Sequence, residues 1–107
     1  PIAAFQNTQF KLAEMQTKID AARLLTWRAA TAKDAHENYS VYAAMAKLTA
    51  SEVANEVTRT CVQLLGGYGF TREYPLERMM RDAKITEIYE GTSEVMKIVI
   101  SGSMNLR

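Results

Sequence analysis

The segment Val53-Ala-Asn-Glu-Val-Thr-Arg-Thr-Cys-Val-Gln-Leu-Leu-Gly-Gly-Tyr-Gly69 decides the fold class. Val53, Val57, Cys61 and Leu64 recur at steps of three and four. That spacing lines one stripe of an α-helix, whereas a half-buried strand would alternate every second residue. Followed backwards through Leu48, Met45 and Val41, the stripe predicts a helix from about Ala35 to Leu65, with Asp34 and Glu37 spaced as a capping box at its start. Gly66 and Gly67 end it as a C-cap and tight turn at positive φ.

On the N-terminal side, Phe10, Leu12, Met15, Ile19, Ala22, Leu25, Ala29 and Ala30 give a second amphipathic helix from Phe5 to about Ala32. On the C-terminal side, Pro75 suits the first turn of a helix reaching about Lys84, with Leu76, Met79, Met80 and Ala83 apolar. A last helix begins near Thr92, whose hydroxyl can cap it, and directs Val95, Ile98, Val99 and Met104 inward. The β-branched run Ile98-Val-Ile100 is too short to outweigh the helical spacing before it. Two long and two short helices on short connectors predict an all-α fold, an antiparallel four-helix bundle forming one domain over residues 1–107. The opening Pro1-Ile-Ala-Ala-Phe-Gln6 reads as the middle of a longer polypeptide.

Composition removes several functions. Thirteen basic and twelve acidic side chains are interspersed without a long run, which gives neither nucleic acid nor an anionic membrane a surface to prefer. No apolar run approaches the roughly 18 to 20 residues of a membrane span. The single cysteine, Cys61, cannot close an internal disulfide and sits in a helical stretch as a packed thiol. A carboxylate di-iron site needs Glu-x-x-His pairs on facing helices, but His36 is the only histidine and Lys33 stands three residues before it. No metal site is expected. His36 lies among Asp34, Glu37 and Asn38, a setting for a solvated or capping role and not for a catalytic base. The Gly66-Gly67-Tyr68-Gly69 cluster follows a helix, whereas a dinucleotide fingerprint follows a strand. It serves equally as a turn and as a place where a flat ligand nears the backbone. Glu90 by itself is an acid near a helix N-terminus, where the dipole favours it.

Taken in order, Gln63-Leu-Leu-Gly-Gly-Tyr-Gly-Phe70, Tyr74-Pro75 with Met80-Arg-Asp-Ala-Lys84, and Ile88-Tyr-Glu-Gly-Thr92 are more specific than any one of them. With Ile2-Ala-Ala-Phe-Gln6, Leu12-Ala-Glu-Met15 and Glu94-Val-Met-Lys-Ile98, they make nearly the whole chain resemble the C-terminal domain of the acyl-CoA dehydrogenases. The stretch Glu87-Ile-Tyr-Glu-Gly-Thr-Ser-Glu94 resembles the butyryl-CoA, short-chain enzymes in particular. The resemblance implies a four-helix bundle at the end of a larger oligomeric flavoenzyme, a dimer or tetramer that binds FAD. The implied acyl-CoA substrate loses an α-proton to a carboxylate and a β-hydride to the flavin, and electron-transferring flavoprotein is the implied acceptor.

Residue by residue, the resemblance makes Glu90 the catalytic base, with its own backbone N–H and a flavin ribityl hydroxyl holding the thioester oxygen. Tyr89 and Gly91 would flank the acyl chain, and Gly91 would leave the carboxylate uncrowded. Gln6, Gln63 and Gly67 match positions near the adenosine and pyrophosphate of an FAD held mainly by the neighbouring subunit. Ile88, Thr92 and Glu94 match positions touching the FAD of their own subunit, although many members carry Gln where this chain has Glu94. Arg81-Asp82 is expected to tie helices together, and Trp27, Tyr39 and Tyr42 to serve the core or a subunit interface. The implied compartment is the cytoplasm for a bacterial source, which is preferred, or the mitochondrial matrix for a eukaryotic one. Two rival readings share the fold: a non-catalytic helical oligomerisation module, in which Glu90 is vestigial, and an acyl-CoA oxidase-like flavoenzyme domain.

Overall fold

The computed structural model describes residues 1–106. After a single 3₁₀ turn at Ile2–Ala4 come α1 (Gln6–Asp34), α2 (Ser40–Leu65), α3 (Gly67–Phe70), α4 (Leu76–Ile85) and α5 (Ser93–Gly102). The described residues contain no strand, and Ile98–Ile100 lies inside α5. The all-α expectation holds, with one element more than foreseen, because the glycine turn winds into the short helix α3.

Helices α1 and α2 run antiparallel. Lys18 pairs with the carboxylate of Glu56, while the Arg28 guanidinium donates to the Met45 sulfur at 3.3 Å and lies 4.2 Å over the Tyr42 ring. The buried residues of α1 are Met15, Ala22, Ala29 and Ala32, and those of α2, which packs on every other α-helix, are Ala44, Ala46 and Ser51. Seven-residue spacing of Met15, Ala22 and Ala29 draws a narrow stripe, and alanines let two helix backbones approach closely.

The remaining helices use α2 as their common support. Helices α3, α4 and α5 all pack on α2, and α1 touches neither α4 nor α5 among the described residues. Asn55 joins α2 to α4 by donating to the Ser51 and Ala83 carbonyls, both at 2.8 Å. This bond makes the tie expected of Arg81-Asp82; neither of those side chains has an ionic or hydrogen-bonded partner among the described residues.

Several local expectations change. Helix α1 continues to Asp34 and α2 starts only at Ser40, so Asp34 and Glu37 form no capping box. Instead, His36 adopts φ +58°. Its N–H donates to the Lys33 carbonyl at 3.1 Å, and the Glu37 N–H donates to the Ala32 carbonyl at 2.9 Å. These two bonds are a Schellman motif, with an exposed histidine in the left-handed position that glycine usually fills. Glu37 therefore belongs to the end of α1 and has no N–H left for a second helix.

Burial also departs from the apolar pattern. Val95, Ile98, Val99 and Met104 are exposed, and Met96 and Ile100 are the half-buried apolar residues of α5. Met79 and Met80 of α4 are exposed as well, while Ala83 is buried. Trp27 is 59% exposed and Tyr39 40%, so neither belongs to a core within this chain. The radius of gyration is 16.5 Å, against about 13 Å for a compact domain of this length. The accessible surface of 7961 Å² exceeds by roughly 2,000 Å² the value expected of a monomer of this mass. Both numbers describe an open arrangement in which much of the apolar pattern faces outward.

Candidate active site

The loop from α4 to α5 is short and closely tied. The Ile88 and Tyr89 N–H groups donate to the Ile85 carbonyl at 3.0 and 2.9 Å, prolonging the last turn of α4. The Ser93 N–H reaches back to the Glu87 carbonyl at 3.1 Å and closes the loop. Thr92 caps α5 as anticipated, its hydroxyl oxygen accepting from the Val95 N–H at 3.3 Å.

At the tip of this loop, Glu90 has φ +54° and Gly91 φ +100°. A left-handed non-glycine residue costs roughly 1–2 kcal/mol, so something must hold it. The holder is Lys47 of α2. Its ammonium donates to the Tyr89 carbonyl at 2.7 Å and to the Gly91 carbonyl, and it lies 5.9 Å from the Tyr89 ring centroid. Two carbonyls on either side of Glu90 are thus fixed by one cation. Gly91 also has a backbone reason to be glycine: besides its positive φ, an added Cβ would fall 2.7 Å from the Met96 methyl.

The Glu90 N–H has no acceptor among the described residues. Its side chain is exposed at the lip of an open cleft of about 490 Å³, whose lining includes Ala50, Ala54, Thr86 and Tyr89. Ser51, also on this wall, commits its hydroxyl to the Lys47 carbonyl at 2.7 Å and is no nucleophile. The cleft, which Lys47 also lines, therefore has an apolar floor with one carboxylate at its lip, and the peptide of that carboxylate carries an uncommitted N–H; a base and a backbone donor on one residue are what proton abstraction beside a carbonyl uses.

The predicted site residues fall into two groups. Ile88, Tyr89, Glu90, Gly91, Thr92 and Glu94 share the loop and the first turn of α5. Gln6 opens α1, Gln63 stands in the last turn of α2 and Gly67 opens α3. The antiparallel register fixed by Lys18 with Glu56 and Arg28 with Met45 puts these three at one end of the α1–α2 pair. From Lys47, which holds the loop, to Gln63 is sixteen residues, about 24 Å along the axis of α2. Gly67 has neither positive φ nor any atom within 4 Å of an added Cβ, so the fold itself does not demand glycine there.

The family model described as acyl-CoA dehydrogenase, C-terminal domain, matches residues 1–104. The chain belongs to this family. Among relatives of this acyl-CoA dehydrogenase domain, the short-chain-specific enzyme of Clostridium acetobutylicum is 58% identical over 100 residues, covering 94% of this chain and 26% of that protein. The mitochondrial short-chain-specific enzyme of Rattus norvegicus is 52% identical over 104 residues, covering 97% of this chain and 25% of that protein. The structure of butyryl-CoA dehydrogenase from Megasphaera elsdenii superimposes with a TM-score of 0.96 at 51% identity, over 97% of this chain and 27% of that one. The chain thus spans about a quarter of the length of these relatives, and the likeness to short-chain enzymes read from Glu87–Glu94 is borne out.

Lys47, which holds the loop, is the residue that sequence reasoning missed. The available signal was a lone cation inside Val41-Tyr-Ala-Ala-Met-Ala-Lys-Leu48, a stretch with no other charge.

Proposed function

We propose that this chain supplies the base of an FAD-dependent acyl-CoA dehydrogenase that desaturates a short-chain acyl-CoA between its α and β carbons. Glu90 takes the α-proton, and the Glu90 N–H donates to the thioester carbonyl oxygen as negative charge grows there. Tyr89 and Gly91 border the acyl chain, whose methylenes lie along Ala50 and Ala54. The observation that carries this reading is the left-handed Glu90, with its N–H free, at the lip of the apolar cleft. A strained, non-glycine backbone held from outside its own loop is characteristic of functional positions.

The residues present fit FAD. Gln6 and Gln63 offer amide donors that have no partner among the described residues, and Gly67 leaves its backbone open to a flat or phosphorylated ligand. The Thr92 hydroxyl accepts from Val95 and keeps its proton to donate. Glu94 in its ionised form only accepts, so it answers a donor group of the cofactor. Bound FAD supplies the hydride acceptor. The separation of the two groups along α2 supports contacts to two cofactors: Gln6, Gln63 and Gly67 toward one held mainly by a neighbouring subunit, and Ile88, Thr92 and Glu94 toward the subunit's own.

An exposed carboxylate is a feeble base toward a thioester α-carbon, and expelling water is what strengthens it. The walls that exclude water here come from surfaces beyond this chain, in keeping with the uncovered Phe10, Leu24 and Trp27 of α1. The proposed assembly is a homo-oligomer, dimer or tetramer, that passes electrons to electron-transferring flavoprotein. It would work in the bacterial cytoplasm or, for a eukaryotic source, the mitochondrial matrix. No helix among the described residues is long and apolar enough to cross a membrane.

The deciding experiment is Glu90→Gln in the full-length enzyme. Turnover is expected to fall by about 10²–10⁴ while FAD remains bound; turnover retained at full FAD content would remove Glu90 from the reaction.

A further inference from the structure

Lys47 does more than pin a loop. The carbonyl it holds most clearly, that of Tyr89, belongs to the same peptide unit as the Glu90 N–H. In a trans peptide these two groups point in opposite directions, so a cation fixing the oxygen also fixes the direction of the hydrogen. Withdrawing electron density at the oxygen makes the N–H a stronger donor, the cooperativity seen along hydrogen-bonded chains. The second bond, to the Gly91 carbonyl, grips the next turn of the backbone and prevents rotation about Glu90. Within the chain the Glu90 N–H donates to nothing. A polarised, immobilised and unused donor beside the carboxylate is a half-built oxyanion site.

We infer that Lys47 is a positioning residue for the reaction: its ammonium orients and polarises the Tyr89–Glu90 peptide so that the Glu90 N–H stabilises the enolate-like oxygen. This rests on the proposed role of Glu90. Lys47 lines the cleft beside Glu90, but both of its hydrogen bonds go to carbonyls of the loop, so it acts through the peptide. Because the effect grows with charge on the oxygen, it belongs to the transition state and leaves ground-state binding nearly unchanged.

The test uses the full-length holoenzyme and follows exchange of the substrate α-hydrogen with D₂O while the flavin is kept reduced, which isolates proton abstraction from hydride transfer. In Lys47→Met, exchange and kcat are expected to fall about tenfold, less than the 10²–10³ lost with an oxyanion donor itself. KM should stay within about twofold, and FAD content and melting temperature should hold. A decrease of less than threefold would overturn the inference, as would loss of exchange accompanied by loss of FAD or of the fold in both Lys47→Met and Lys47→Gln. Should only the methionine variant fail to assemble, the glutamine variant, with an uncharged amide, carries the same threshold. Glu90→Gln separates the two readings. If it retains exchange, the base assignment falls; if it abolishes exchange while the Lys47 variants keep it, only the role of Lys47 falls.

Discussion

Replacing Gly69 by alanine tests how tightly the glycine-rich corner is built. The corner brings α3 against α2 so closely that a Cβ on Gly69 would lie 2.6 Å from the Val62 carbonyl oxygen, 2.9 Å from Val62 Cα and 3.2 Å from Leu65 Cβ. The first two are backbone atoms, which cannot swing aside. Relief requires α3 to retreat from α2 by roughly half an ångström, and such overpacking costs about 1–3 kcal/mol, of which we expect the upper part. Gly67, two residues earlier, is the internal control. It opens the same helix, an added Cβ there meets nothing within 4 Å, and alanine should gain about 0.5–1 kcal/mol of helix stability. The assay is thermal unfolding of the full-length apoenzyme together with an FAD titration. Gly69→Ala should lower the melting temperature by roughly 2–4 °C, since the full-length enzyme is about four times the length of this chain. Gly67→Ala should melt at or slightly above the parent temperature and bind FAD at least about tenfold more weakly, because on the proposed reading the methyl enters space that the cofactor would fill. A Gly69→Ala protein as stable as the parent would refute the close-approach reasoning. A Gly67→Ala protein with parental FAD affinity would remove Gly67 from the cofactor site.

Two further substitutions probe the supports of the bundle. His36→Gly should stabilise the enzyme by about 0.5–1 kcal/mol, since glycine meets the left-handed end of α1 without steric cost. Chemical denaturation would read this as a higher midpoint, and an unchanged or lower one would contradict the Schellman assignment. Asn55→Ala should destabilise by about 0.5–1.5 kcal/mol, because it removes the bond joining α2 to the Ala83 carbonyl, an oxygen that still accepts from the Thr86 hydroxyl and N–H. A loss below about half a kcal/mol would show that α4 is held to α2 by packing alone.

What could be read from the chain and what could not divide along one physical line. The helices, the Thr92 cap and the positive φ of Gly66 follow from interactions within a few residues, and the sequence states them directly. The capping box at Asp34 is a plausible local pattern defeated by another: the alanine-rich end of α1 runs two residues further and spends the Glu37 N–H on Ala32. The outward Val95, Ile98 and Val99 show a different limit. Periodicity says that an apolar stripe exists but not what covers it, and here α5 turns only Met96 and Ile100 partly inward.

The sequence alone therefore determined an all-helical chain, its family likeness and the carboxylate to examine, because these depend on residues near one another or on a recognisable order of motifs. Tertiary structure alone decided how that carboxylate's backbone is held. The Lys47 ammonium meets the Tyr89 carbonyl across a gap of forty-two positions, and a contact between side chain and backbone carbonyl leaves no spacing rule in the sequence, since every residue has a carbonyl to offer.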